Sequence, residues 1–417
     1  MGEAMAVDTK PDPAAEVLER ARTLALDLNL TEVKRWKAEN PGCLAIGHMP
    51  IYSPRPLLEA LGCLPVGVFG GGDEIDIIRG DSYFQSYICH IPRSTVELGI
   101  AGHLDCLDGM VFPSICDVIR NLGGMWKLLF PDRYSAYLDL PQNFDRDIGG
   151  RFYAHELRRI ASEITALGGL ALDPERLRVA IEDDNRRRRA IAQLDAARFA
   201  TPWLYPASEA YLVVRAGSVL MAAEHADLVD SYVALAGQRS NRPLDNVRVV
   251  LVGAFCEQPP MGLIISLERA GCDIVADDFQ HGARTIVGDV VLHDDEDPLD
   301  TLAFCFLDQG IATASRYIAD DEKGGALIAQ VRETGADGVI FAAASFCDPA
   351  LLDQPMLEAA CAAVGIPFTA FKYSENTGQF QVIREQAGAF SDSVKLWGDT
   401  SHASLTQPSP TEQGVAR

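Results

Sequence analysis

Short apolar runs, each closed by a turn and followed by a helix-length segment, recur in two separated stretches of this chain. That alternation limits the fold more than any other feature. In the first stretch Cys43 to His48 and Leu64 to Phe69 read as buried strands and Pro54 to Leu61 as a helix. Leu107 to Phe112 reads as a strand running into Pro113-Ser114-Ile115-Cys116. In the second stretch Val247 to Phe255, Cys272 to Ala276, Ala336 to Ala343 and Ile366 to Phe371 repeat the pattern. Such alternation implies mostly parallel sheets covered on both faces, so the expected fold is α/β with two doubly wound, Rossmann-like domains. Ligands of these sheets bind beyond the carboxyl ends of the strands. Cys116 and Cys347 fall at predicted strand ends, one in each half, and the cleft between the halves is where they would meet.

The flanking regions read differently. Residues 1–42 form an expected N-terminal helical arm, because Val17, Leu18, Ala21, Leu24, Ala25 and Leu28 recur at helical spacing before the breaker Asn40-Pro41-Gly42. The first α/β domain is expected over 43–140 and a helical insertion over 141–244. One helix of the insertion opens with Asp173 as N-cap and Pro174 at its first position. The second α/β domain is expected over 245–390. Residues 391–417 are rich in Ser, Thr, Gln, Pro and Gly, a composition that reads as a mobile tail.

At 417 residues and 48% hydrophobic, the chain can bury a large core. Its formal charge of −23 repels nucleic acid and anionic membrane, so neither is an expected partner. No stretch approaches the roughly 20 apolar residues of a spanning helix. Met1 to Pro13 lacks the profile of a secretory signal, so a cytoplasmic location is expected.

Ten widely spaced cysteines in a reducing compartment do not suggest a disulfide framework. With no CxxC pair, a zinc ribbon or a ferredoxin module is disfavoured, and any metal site must be assembled by tertiary structure. A buried structural role is the default for a cysteine, and it is the reading for Cys43, Cys63, Cys106, Cys272, Cys305 and Cys361. Cys89, Cys116 and Cys347 differ because Asp, His, Ser or Pro flank them, in Ser86-Tyr-Ile-Cys-His90, Pro113-Ser-Ile-Cys-Asp117 and Ala344-Ser-Phe-Cys-Asp348. Three converging thiolates can hold an iron–sulfur cluster and leave one iron open to substrate. Cys256, in Gly253-Ala-Phe-Cys-Glu-Gln-Pro-Pro260, also ends a strand and is the reserve candidate.

The run Gly70-Gly-Gly-Asp-Glu-Ile-Asp-Ile-Ile-Arg-Gly-Asp-Ser-Tyr-Phe-Gln-Ser-Tyr-Ile-Cys-His-Ile-Pro-Arg-Ser94 and the string Asp108-Gly-Met-Val-Phe-Pro-Ser-Ile-Cys-Asp117 carry a family resemblance. From about Val33 to Glu385 the chain resembles the 2-hydroxyacyl-CoA dehydratase and ATP-dependent benzoyl-CoA reductase family. It looks nearest to the cluster-binding subunits of the reductase branch, the C-type more than the B-type. The resemblance implies a [4Fe–4S] cluster on Cys89, Cys116 and Cys347, and an aromatic acyl-CoA reduced to a cyclic dienoyl-CoA. It also implies a sister cluster-binding subunit and a separate ATP-hydrolysing activator, with ferredoxin as indirect electron donor. The chain has no G-x-x-x-x-G-K-[ST] phosphate loop of its own, which agrees with a separate activator. Strongly negative surroundings favour a low cluster potential, as electron transfer into an aromatic ring demands. Radical dehydration of a 2-hydroxyacyl-CoA is the alternative reaction. Dehydratases carry an acidic residue early in the helix after the first strand, where this chain has Arg55 and Pro56, with Glu59 about one turn further.

Ring reduction needs protons as well. His90, Ser53 and Tyr52 are the candidate catalytic residues, and His48, Tyr83 and Tyr87 stand behind them. Against this, His90 also reads as a helix-capping or surface residue. Gly70-Gly71-Gly72 lacks dinucleotide-site spacing and reads as a turn. The run Asn185-Arg-Arg-Arg-Arg189 reads as a solvated helix face, with contact to CoA phosphates or an acidic partner as the alternative. Lys372 to Gln379 reads as a pocket-lining loop or an ordinary strand-to-helix turn.

Overall fold

The computed structural model describes residues 11–49, 51–253, 259–279, 285–311, 313–316, 324–374 and 380–397. Two helices, α1 (Ala15–Leu26) and α2 (Thr31–Glu39), lead into a first sheet. That sheet holds β1 (Ala45–His48), α3 (Arg55–Ala60), β2 (Leu64–Gly67), α4 (His90–Ala101), β3 (Gly109–Pro113), α5 (Asp117–Leu129) and β4 (Tyr134–Leu138). A helical stretch follows: α6 (Arg151–Leu167), α7 (Pro174–Ala200), α8 (Ala207–Ala216) and α9 (Ala222–Ala236). The second sheet comprises β5 (Val247–Val252), α10 (Met261–Arg269), β6 (Cys272–Asp277), α11 (Pro298–Gln309), α12 (Gly325–Thr334), β7 (Gly338–Ala344), α13 (Asp348–Ala363) and β8 (Phe368–Tyr373). It closes with α14 (Phe380–Trp397).

Both sheets are four-stranded and parallel, in the orders β2-β1-β3-β4 and β6-β5-β7-β8. The fold is therefore α/β, with two Rossmann-like, doubly wound sheets of one topology. In each, chain order reverses between the two central strands, and the crevice beyond their carboxyl ends is the place such sheets offer a ligand. β4 is an edge strand that the sequence did not announce. Its Tyr-Ser-Ala-Tyr-Leu mixes two half-buried tyrosines with buried positions and lacks the apolar run that marks β2, β3 and β7.

The N-terminal segment is two helices rather than one. Asp27 stops α1, and its carboxylate accepts from Asn29 N at 2.8 Å and Thr31 N at 2.7 Å, so the chain restarts as α2. α1 packs Ala14 and Ala21 into a core shared with Ile191, Leu194, Val213 and Tyr232 of the helical stretch. α2 docks on the first sheet through Lys37, whose Nζ reaches Asp108 at 2.7 Å, while Asp108 also accepts from Ala45 N at 2.8 Å. α14 continues past Phe390 to Trp397, anchored by Ser391 Oγ donating to Gly271 O, so the tail expected from 391 is helical as far as Trp397. Residues 398–417 of the expected tail lie outside the described residues.

α7 ties the two sheets together. It starts as the sequence indicates, with Asp173 accepting from Glu175 N at 3.0 Å and Pro174 next. Over 27 residues it spans about 40 Å. The arginine run on it is not a solvated face. Asp184, Asn185, Arg187 and Arg188 are buried, and only Arg186 and Arg189 point outward, to Asp227 at 2.5 Å and Asp289 at 2.6 Å. Asp184, Arg187 and Arg188 are three and four residues apart and so share the inward face. There Arg187 and Arg188 pair with Asp184, Asn185 bonds both polar atoms of the Val290 backbone, and further along Arg198 pairs with Asp277 of β6. Charges on the buried face hid it from a periodicity argument. Near the same seam Phe306 of α11 packs on Tyr153 and edge-on against Tyr52, with centroids 4.8 and 5.9 Å away. Among the described residues no helix is long and apolar enough to cross a membrane.

Candidate functional site

Each of the three singled-out cysteines is the N-cap of a helix: Cys89 of α4, Cys116 of α5 and Cys347 of α13. A helix N-terminus offers unpaired N–H groups and a positive dipole end, the setting that favours thiolate. Cys116 and Cys347 hold equivalent places in the two sheets, each in the turn after the second of the two central strands, β3 and β7. The Cys116 thiol is raised on balance: burial pushes it up, the backbone N–H groups of Ile119 and Val118 pull against that, and nearby Cys347 and Asp117 push it up further. Cys116 and Cys347 are thus close enough to repel as thiolates. Cys116 is half-buried and Cys347 is buried.

Cys89 is half-buried and arrives from a long loop between β2 and β3. α4 holds this loop with its own side chains. Glu97 accepts from Ile78 N at 3.0 Å, Arg79 N at 2.6 Å and Gly80 N at 2.8 Å, and these bonds keep its carboxyl below the usual range despite burial. Arg93 pairs with Asp81 at 2.8 Å and donates to Cys89 O at 3.4 Å. Gly70 opens the loop at φ +73°, where a Cβ would lie 2.2 Å from Ser94 Oγ, so the glycine run serves as a tight turn against α4. Helices α4 and α5 pack on each other, with Gly99 of α4 facing Trp126 of α5. Among the described residues no three His, Cys, Asp or Glu side chains are grouped to hold one metal ion.

The backbone just before Cys347 is strained: Phe346 has φ +67° and is 48% exposed. Tyr52, after β1, has φ +65° and is buried. Its hydroxyl bonds to Thr313 Oγ1 and, at 2.9 Å, to Ser315 Oγ, so Tyr52 links the first sheet to a loop of the second half. Ser53 lines a narrow chamber with Arg55, Asp184, Arg187 and Arg188. Tyr52 and Ser53 therefore lie at the seam between the halves. His90 is the first residue of α4, beside Cys89, and its carbonyl accepts from Ser94 Oγ at 3.0 Å. Tyr83 and Tyr87 are exposed on the Cys89 loop.

His48 is a neutral ring: burial, with Arg55 and Arg187 nearby, takes its pKa down to about 3. Arg55 is buried and donates to Gly217 O at 3.0 Å and Leu220 O at 2.6 Å. Glu59 pairs with Arg55 at 3.3 Å and accepts from Ala222 N at 3.0 Å. Burial pushes Glu59 up to about 7, against the pull of Arg55. Both residues thus tie α3 to the helical stretch.

Among the remaining cysteines, burial pushes Cys63 and Cys272 up to about 12 and Cys305 up to about 11, and it raises Cys106 and Cys361 too. Those thiols stay protonated, as structural cysteines do. Cys256 and residues 375–379 of the Lys372 to Gln379 loop lie outside the described residues. Sequence reasoning missed Glu97, Thr313, Ser315 and the charge cluster around Asp184. A carboxylate four residues after Arg93 was a weak local signal for Glu97, whereas the others depend on contacts far apart in the chain.

Two doubly wound sheets of matching order, each followed by a helix-capping cysteine after its second central strand, define a paired Rossmann-like α/β protein. The model of the 2-hydroxyglutaryl-CoA dehydratase D-component family matches residues 50–394, and the chain belongs to that family. It is 46% identical over 384 residues to the C subunit of benzoyl-CoA reductase from Thauera aromatica, covering 92% of this chain and 99% of that protein. It is 26% identical over 356 residues to the (R)-phenyllactyl-CoA dehydratase beta subunit of Clostridium sporogenes, covering 85% of this chain and 93% of that one. The (R)-2-hydroxyglutaryl-CoA dehydratase beta subunit of Acidaminococcus fermentans is also 26% identical, over 367 residues, covering 87% of this chain and 95% of that protein.

Proposed function

We propose that this chain is a catalytic subunit of an ATP-dependent benzoyl-CoA reductase, adding electrons and protons to the ring of an aromatic acyl-CoA to give a cyclic dienoyl-CoA. The observation that carries this reading is the gap between 46% identity to a benzoyl-CoA reductase subunit and 26% to two dehydratase subunits, all over most of the chain. The second reading, radical dehydration of a 2-hydroxyacyl-CoA, draws on the family's name and on those dehydratase relatives. The tie of Glu59 to Arg55 and Ala222 N counts against it, because that carboxylate is already engaged in holding α3 to the helical stretch.

Cys89, Cys116 and Cys347 would hold a [4Fe–4S] cluster. The donor set fits: three soft sulfur ligands at helix N-termini, two of them within electrostatic reach of one another. Each thiolate of a four-iron cluster takes its own iron, so its ligands stand wider apart than those of a single ion. When bound, the cluster supplies single electrons at low potential. The N–H groups of Val118 and Ile119 would offset thiolate charge at Cys116. His90, next to Cys89, is the nearest candidate to deliver a proton. Tyr52 and Ser53, at the seam, are the others. His48 stands behind them, with burial holding its ring neutral.

The partners in this reading are a sister cluster-binding subunit, an ATP-hydrolysing activator supplied through ferredoxin, and the acyl-CoA itself. The test is anaerobic turnover by the assembled complex with activator, ATP and a strong reductant. Dienoyl-CoA formed from benzoyl-CoA supports the proposal. Loss of water from an (R)-2-hydroxyacyl-CoA with no ring reduction would establish the dehydratase reading instead. Folded, metal-free protein after anaerobic purification would reject both.

A further inference from the structure

The seam between the two halves contains buried positive charge that the described residues do not balance. Arg55, Arg187 and Arg188 are 6%, 4% and 4% exposed, and the acidic groups acting on them are Asp184 and Glu59. Three guanidiniums against two carboxylates leave one net positive charge, more when Glu59 is protonated. His48 and His225, the histidines that feel this cluster, are both held neutral, by burial first and by Arg55 and Arg187 next. An uncompensated charge in a protein interior is costly and calls for a counter-charge.

A chamber of about 30 Å³ lies where the counter-charge is missing, lined by Ser53, Arg55, Asp184, Arg187 and Arg188 with Phe306 as an apolar wall. That space exceeds what one water needs. Groups lining it that can donate lack partners among the described residues. Arg55 Nε and Ser53 Oγ are buried without a hydrogen-bond partner. Arg187 donates through Nε to Asp184 at 2.7 Å, and its Nη groups meet no acceptor among the described residues. Arg188, by contrast, is fully used, by Gly288 O, Asp184 and Asn185. A water could accept from these donors and donate to Ser53 Oγ or Asp184, but it brings no charge, whereas a monatomic anion accepts from the donors and supplies the counter-charge.

We propose that this chamber is a binding site for one small monovalent anion of halide size, held by Arg187, Arg55 and Ser53, which neutralises the seam and fastens α3 and α7 to the second half. This inference does not depend on which acyl-CoA reaction the protein performs.

The test uses the full-length chain with no halide present. Sodium chloride or bromide is titrated against sodium gluconate at equal ionic strength while thermal unfolding is followed. The expected result is a midpoint that rises by a few degrees and follows the logarithm of halide concentration above the dissociation constant. Arg187→Gln removes the excess charge, so its midpoint should be indifferent to halide. If that variant does not fold, Ser53→Ala should shift the halide response to higher concentration. Crystals grown in bromide should give an anomalous peak between the Arg55 and Arg187 guanidiniums. A midpoint that does not distinguish halide from gluconate, or a chamber holding only water in the bromide crystals, would overturn the proposal.

Discussion

The two halves share a strand order and a cysteine after the second central strand, yet they treat their other thiols in opposite ways. Between β2 and β3 the first half carries Cys89 at the N-cap of α4, half-buried, on a loop gripped by Glu97 and Arg93. Between β6 and β7 the second half carries Cys305 inside α11, 7% exposed and with its thiol pushed up to about 11. A cysteine in the middle of a helix meets no free N–H groups and stays protonated. A cysteine that caps a helix is offered them. Helix-cap placement, more than residue type or spacing, therefore separates candidate ligands from structural thiols in this chain.

The sharpest way to break that contrast is substitution across both sets. Cys116→Ser and Cys347→Ser should each lower cluster content and activity by at least ~100-fold, the upper range for disturbing a metal's surroundings. Cys89→Ser should match them, whereas Cys305→Ser and Cys63→Ser should retain iron. Equal iron loss in both sets, measured by metal and acid-labile sulfide analysis, would erase the distinction. Next in size, Asp184→Asn leaves Arg187 and Arg188 without their shared carboxylate on the helix that joins the halves. It should cost ~3–5 kcal/mol in urea unfolding, and a change below ~1 kcal/mol would show that α7 does not tie the halves through this cluster.

Glu97→Ala releases three backbone N–H groups of the Cys89 loop and should cost ~1–3 kcal/mol. Its iron content should fall further than that of a control variant of equal stability. The smallest effect concerns pH. Glu59 has a folded pKa of about 7, above its ordinary value of 4.5, so between those values the folded state holds more protons than the unfolded one. Its contribution is full below pH 4.5 and is lost as pH rises through 7. His48 and His225, lowered to about 3, act in the opposite direction between 3 and 6.5. The sign is therefore read from a difference: Glu59→Gln should gain stability relative to the parent as pH rises from 4.5 to 7. A flat difference across that window would show that Glu59 titrates normally.

Most of the scaffold was legible because parallel strands covered on both faces read as near-continuous apolar runs, as β3 and β7 do, with β5 broken by Arg248 alone. β4 escaped because an edge strand with two half-buried tyrosines carries no such run. The break at Asp27 escaped because apolar spacing continues across it to Leu28, although the side chain that ends α1 is a strong local cap. At the candidate site, Cys116 and Cys347 were marked by the strand ends they follow. Cys89 was marked by its polar flanks, and its grip by Glu97 was not. The Arg187 to Asp184 seam was misread as solvated because burial of a charged helix face depends on partners such as Gly288 and Val290, a hundred residues away in the chain.

The most direct test of the central claim is iron and acid-labile sulfide per chain, with the electron paramagnetic resonance spectrum of the reduced, anaerobically purified complex. The parent is compared with the Cys116→Ser/Cys347→Ser double variant. The expected result is a reduced-cluster signal in the parent and a loss of one four-iron cluster per copy in the variant, with folding retained. An unchanged spectrum and unchanged iron in a folded double variant would contradict the assignment of these helix-capping thiols as cluster ligands.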